Sequence, residues 1–155
     1  MTDSDFLPQL ASVPPIWSSE MDDVVGPHMG TAFPGNRPPV GSPLPPYRWY
    51  RVADSTGRVV GFLWLDGDTG AVDISIVIRA DDREKGFGGQ VLALAEDAIR
   101  QNGGTIGVGV VRKENLAAPG VARLLARCGY ACFPEFTQEL LERQGDITFQ
   151  KPLVI

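Results

Sequence analysis

Seven residues, Arg83-Glu84-Lys85-Gly86-Phe87-Gly88-Gly89, have the types and spacing best suited to chemistry. They follow an apolar, strand-like segment ending at Ile78 and open a helix-like one from Gln90. A Gly-rich turn between strand and helix leaves backbone N–H groups unpaired at the positive end of the helix dipole, which makes an anion cradle. At Gly86 and Gly88 a side chain would hold a phosphate away from those groups. The turn lacks the Gly-Lys-Ser/Thr ending of a Walker A loop and does not complete G-x-G-x-x-G. Its spacing is R-x-x-G-x-G. Other reactive side chains are sparse. With Cys128 and Cys132 as the only cysteines and His28 the only histidine, neither a Cys–His nucleophile nor a nitrogen–sulfur metal site is expected, and both thiols read as small core residues.

The elements that must position this loop begin at residue 47. Tyr47 to Ala53 and Arg58 to Leu65 read as strands around the turn Asp54-Ser55-Thr56-Gly57, and Asp66 to Gly70 as a hairpin loop. Ala71 to Arg79 is a third strand, with Ile74, Ile76 and Ile78 on one face and Asp73, Ser75 and Val77 on the other. From Gly89 to Asn102 the spacing predicts a helix that buries Leu92, Ala95 and Ile99. Thr105 to Val111 is a strand with Gly107 and Gly109 on one face, where either a helix or a ligand approaches closely. Val121 to Cys128 gives a helix with Val121, Leu124, Leu125 and Cys128 inward. Tyr130 to Phe136 and Ile147 to Leu153 read as closing strands, with Leu140 and Leu141 on a short helical turn between them.

Ahead of residue 47 lie ten of the thirteen prolines, which exclude a regular helical hairpin. One short helix fits, about Ser18 to Val25, capped by Ser18 or Ser19 with Met21, Val24 and Val25 inward. Residues 26–46 are expected to form an irregular arm anchored by Phe33, Leu44 and Tyr47, with no clear first strand. Residues 1–46 are thus an arm of the same domain, and 47–155 its core.

At 155 residues the chain is expected to be one domain. The net charge of −5 is uneven: residues 1–46 hold Asp3, Asp5, Glu20, Asp22 and Asp23 against Arg37 alone. The acidic arm suits a cationic amine and equally plain solvation. No basic stripe marks a nucleic-acid surface, no apolar run reaches membrane-spanning length, and no secretory leader is read, so a cytoplasmic protein is expected.

From residue 47 onward the order and its motifs resemble the GNAT family of acyl-CoA N-acyltransferases. The resemblance rests on Gly57-Arg58-Val59-Val60-Gly61-Phe62 as a hairpin and on Ile76-Val77-Ile78 followed by Arg83-x-x-Gly86-x-Gly88. It rests also on Asn115 after the next strand, on Cys128-Gly129-Tyr130, and on Gln150-Lys151-Pro152-Leu153. It implies an α+β fold: a mixed, mostly antiparallel sheet flanked by helices, here with an irregular proline-rich N-terminal arm. The implied activity is acyl transfer, acetyl above all, from CoA to a small-molecule amine by direct attack. Backbone amides of Glu84, Lys85, Gly86, Phe87, Gly88 and Gly89 would bind the pyrophosphate with Arg83 at the loop's head. Ile76, Val77 and Ile78 would pair with the pantetheine arm as an added strand, near Asn115. Amides of the same strand would stabilise the oxyanion.

Asp73 lies near where several family members carry a catalytic glutamate and is the implied base, with Glu114, Glu135 and Tyr130 in reserve. The family's usual acid, a tyrosine four residues before the glycine that ends the second core helix, is replaced by Leu125. Trp49, Tyr50 and Trp64 are candidates for an acceptor pocket or for plain core. Two rival readings stay open, a catalytically silent acyl-CoA-binding module and a transferase fed by an acyl carrier protein. A homodimer also stays open.

Overall fold

The computed structural model describes residues 8–33, 35–82, 87–115 and 117–153. Six strands form one sheet in chain order: β1 (Gln9–Ser12), β2 (Arg48–Ala53), β3 (Val59–Asp66), β4 (Gly70–Ile78), β5 (Gly104–Arg112) and β6 (Asp146–Pro152). Every neighbouring pair is antiparallel except β4 and β5. A parallel pair needs a crossover, which α2 (Phe87–Gln101) supplies. The other helices are α1 (Ser19–Val24), α3 (Ala118–Arg127) and α4 (Gln138–Gln144). Thr137 caps α4 by accepting from the Leu140 N–H at 3.0 Å; Leu140 and Leu141 lie on this helix, the short helical turn expected there, and are buried. The mixed, mostly antiparallel α+β architecture is the one expected.

Both faces of the middle strands are covered, which is why β3 is an unbroken apolar run instead of an alternating one. On one face Leu63, Leu65 and Val72 pack under Val91, Ala95 and Ile99 of α2. On the other, Phe62, Trp64 and Val77 pack under Trp17, Met21, Val24 and Val25 of the arm. Next to the first cluster, α3, α4 and β6 bury Leu125, Leu141, Ile147 and Phe149.

The arm is therefore a built layer. Ser18 accepts from the Met21 N–H at 3.1 Å and starts α1 as predicted. Phe33 and Leu44 anchor the later part, while Tyr47 is exposed and touches it only at the edge, its ring 6.2 Å from that of Trp49. Two of its acids have partners within the fold: Arg51 pairs with Glu20 at 2.9 Å, and Arg37 with Asp22 at 2.9 Å. Trp17 Nε1 also donates to Asp22, at 2.9 Å. Arg37 first, then Trp17, lowers the Asp22 carboxyl from 3.8 to about 2. A depressed aspartate contributes stability that is complete above its unfolded value and lost as pH falls through its folded one. Acidification from 3.8 towards about 2 should thus loosen the arm, read as a red shift of tryptophan emission. Asp22→Asn should remove that step, and an unaltered step would assign it elsewhere.

The structure corrects three expectations. The arm does contain a first strand, β1, paired with β2 at the sheet edge. Only Leu10 of its four residues packs on the core, so no alternating pattern advertises it. Tyr130 to Phe136 is not a strand but a loop joined to β6 by the single bridge Ala131↔Gln150. Pro134 has no N–H to extend a ladder. Finally, α3 begins at Ala118, three residues before the expected Val121, with Pro119 in the first turn where a missing N–H costs nothing.

Candidate functional site

The parallel pair β4–β5 makes the site. Its ladder joins Val72 to Gly107 and Asp73 to Val108, and stops there. Beyond that point β4 runs on to Ile78 and β5 to Arg112, so the two strands separate toward their C-terminal ends. Ile74, Ile76 and Ile78 pack on the α2 side of the sheet, and Val77 on the arm side.

Asp73 stands at the fork. It is exposed, lies opposite Asp66 of β3 in register, and is the last β4 residue paired to β5. Partial burial first, and the Asp66 carboxylate second, push its carboxyl above the ordinary 3.8. A higher pKa makes a carboxylate a better proton acceptor.

Of the expected phosphate loop, Arg83, Glu84, Lys85 and Gly86 lie outside the described residues. Phe87, Gly88 and Gly89 open α2, whose first turn carries no acidic residue to compete with an anion. Phe87 is buried in the core. Gly88 has a packing reason for lacking a side chain: a Cβ there would meet Leu124 Cδ2 of α3 at 2.9 Å. Just beyond, the side-chain oxygen of Gln90 is buried with no hydrogen-bond partner among the described residues. A bound molecule offering an N–H would satisfy it.

The segment leading into the loop is clamped by a pair that sequence spacing does not reveal. Asp82 is 1% exposed and accepts from Arg58 Nη1 at 2.8 and 3.0 Å. Arg58 lies 24 residues upstream, before β3.

Other candidates are placed away from the fork or occupied. Asn115 Oδ1 accepts from the Ala117 N–H at 2.9 Å, shaping the turn before α3. Glu114 faces Arg112 at 3.7 Å, and Glu135 lines a cavity beside α3. Cys128 and Cys132 are free thiols packed against the core, and burial pushes the Cys132 thiol up. Tyr130 donates to the buried Glu96 at 2.8 Å, and Lys151 reaches the same carboxylate at 3.1 Å. Burial first, then Glu96, pushes the Tyr130 phenol far above its ordinary value, so it cannot serve as a base. Glu96 gave no signal in the sequence beyond sitting one residue past the inward Ala95.

Tight packing accounts for Gly107 and Gly109 of β5. A Cβ at Gly107 would stand 2.8 Å from the Tyr130 hydroxyl, and one at Gly109 3.0 Å from Leu125 Cδ2. Leu125 thus faces β5 from α3, buried against its backbone.

Across the sheet, Trp49 stacks on Trp64 at 4.5 Å, and Phe33 of the arm lies 4.7 Å from Trp64. Arg112 of β5 donates to the Thr31 carbonyl at 2.7 Å. Because β4 lies between β3 and β5, an arm that touches both passes over the separating strands. Tyr50 instead packs on the α2 face.

No family model matches this sequence, and no curated protein matches it. Solved structures do match. A point mutant of the spermidine N-acetyltransferase SpeG from Vibrio cholerae aligns over 95% of this chain and 94% of its own, with a TM-score of 0.68 at 13% identity. The structure of yncA from Salmonella typhimurium with its cofactor acetyl-CoA aligns over 96% and 95%, at 0.64 and 14%. A GNAT superfamily phosphinothricin acetyltransferase from Sinorhizobium meliloti, in complex with AcCoA, aligns over 94% and 88%, at 0.61 and 15%. The chain has the GNAT fold. Among the described residues no helix is long and apolar enough to cross a membrane.

Proposed function

We propose that this protein is an acyl-CoA-dependent N-acyltransferase that moves an acetyl group to a small-molecule amine. The observation that carries the reading is the fork itself: β4 and β5 part at Asp73, directly ahead of a Gly-rich turn and a helix N-terminus. The open edge of β4 suits a pantetheine arm lying as an added strand, through Ile76, Val77 and Ile78. The Arg83–Gly89 turn and α2 suit the pyrophosphate. Solved neighbours with this fold hold acetyl-CoA, and one is a spermidine N-acetyltransferase.

In this reading Asp73 takes a proton from the acceptor ammonium, and the free amine attacks the thioester carbon. Backbone N–H groups of β4 stabilise the oxyanion, the carbon–sulfur bond breaks, the thiolate leaves, and the nitrogen gives its remaining extra proton to solvent, leaving the neutral amide. Leu125, packed on Gly109, supplies no acid. A thiol with an ordinary pKa of about 8.5 leaves readily without one. The same absence favours the second reading, a silent acyl-CoA-binding module. Release of free thiol from acetyl-CoA in the presence of amines, polyamines included, separates the two. Comparison with an acetylated carrier protein tests the other donor.

Binding itself is tested at two residues. Gly86→Trp should abolish CoA binding by calorimetry; unchanged affinity would remove the phosphate-loop assignment. Gln90→Met should act with opposite signs on two measurements. Removing an unpartnered buried oxygen should raise the melting temperature, while the lost hydrogen bond should weaken CoA binding by roughly tenfold or less. A variant that is stabilised yet binds CoA as before would take Gln90 out of the site.

A further inference from the structure

A cavity of about 460 Å³ lies on the far side of α3 from the fork. Leu124 of α3 faces Gly88 of α2, whereas Ala122 and Ala126, two residues either side of it, point to the opposite helix face and line the cavity. Phe136 and Phe149 complete an apolar floor, and one cation, Arg123, and one anion, Glu135, line it too. Beside it projects Phe133, 99% exposed and held outward by a loop whose neighbours Cys132, Glu135 and Phe136 turn inward. Its own cavity is therefore closed to it in this conformation.

An apolar cavity of about 150 Å³ already accepts a benzene ring, so this one has room for a phenyl side chain and part of the chain that carries it. We infer that Phe133 is a knob for the same cavity on a second copy of this chain, and that the protein is a two-fold dimer through this face. A two-fold interface must be self-complementary. Here a knob and a hole sit side by side, so the rotation that seats one Phe133 seats the other. Arg123 and Glu135 line the cavity that Phe133 enters, and we pair each with the other residue of the partner subunit. Neither residue has an ion pair among the described residues, so both charges are available for it.

This interface does not depend on the acyltransferase reading, and it is tested by sedimentation equilibrium of the full chain at micromolar concentration. Wild type should sediment as a dimer. Phe133→Ser should weaken self-association by roughly thirtyfold or more, as loss of a central aromatic anchor does. Because Phe133 is exposed, its circular dichroism and CoA binding should match wild type. Arg123→Glu should also favour monomers, and adding Glu135→Arg should restore the dimer. A monomeric wild type overturns the inference. A dimer indifferent to Phe133→Ser overturns it equally, and failure of the charge exchange to restore pairing overturns the reciprocal arrangement.

Discussion

Asp73→Asn should lower acyl transfer by about two to four orders of magnitude, the range for loss of a general base, with CoA affinity nearly unchanged. The amide keeps the size and polarity of the side chain at the fork but cannot take the ammonium proton. The pH dependence gives a second handle. A base must be deprotonated, so kcat/KM should rise with pH through the Asp73 pKa, which partial burial and then Asp66 place above 3.8. Asp66→Asn removes the neighbouring anion and should move that limb to lower pH while keeping the maximal rate. An active Asp73→Asn enzyme would refute the assignment. A limb unmoved by Asp66→Asn would mean that some other group titrates in it.

Gly61→Ala is expected to damage both the fold and the site. Gly61 of β3 pairs with Ile78 of β4, and a Cβ on it would run into the Val77 carbonyl oxygen. That obstacle is backbone, so no rotamer change relieves it. Overpacking of this kind should destabilise by about 3 kcal/mol. Since the strain falls on the C-terminal end of β4, which frames the fork, CoA affinity should fall as well. Urea unfolding and calorimetry on the same sample test both parts. An unchanged midpoint would show that the ladder can shift there. A lowered midpoint with unaltered affinity would separate the strand end from donor binding.

What the sequence disclosed, and what it withheld, follows from how locally each feature is encoded. The middle strands and α2 were legible because burial of one or both faces imposes a period on the residues themselves, as Leu92, Ala95 and Ile99 show. The α1 cap was legible because Ser18 acts within its own turn. The first strand was not, since β1 is held by backbone pairing to β2, and such pairing leaves little mark on side-chain choice. At the site, the Gly-rich turn announces itself, whereas the fork is a property of two strands 35 residues apart. The Arg58–Asp82 clamp and the Glu96–Tyr130–Lys151 network join residues 24 to 55 positions apart, and no short-range pattern encodes them. Gly107 and Gly109 of β5 show the converse. They were visible, yet only the packing of Tyr130 and Leu125 decides between ligand and helix.

The tie between the arm and β5 is made by a carbonyl. Arg112 donates to the backbone oxygen of Thr31, not to its side chain, whose hydroxyl instead donates to the His28 carbonyl. Any residue that keeps the local backbone can therefore stand at position 31 and preserve the link, while its counterpart at 112 has no such freedom. The strap over the fork thus couples a fixed buckle to a leather that can be re-dyed. Variation there can alter what an incoming molecule meets on this face without loosening the hold, and with β4 and α2 left untouched.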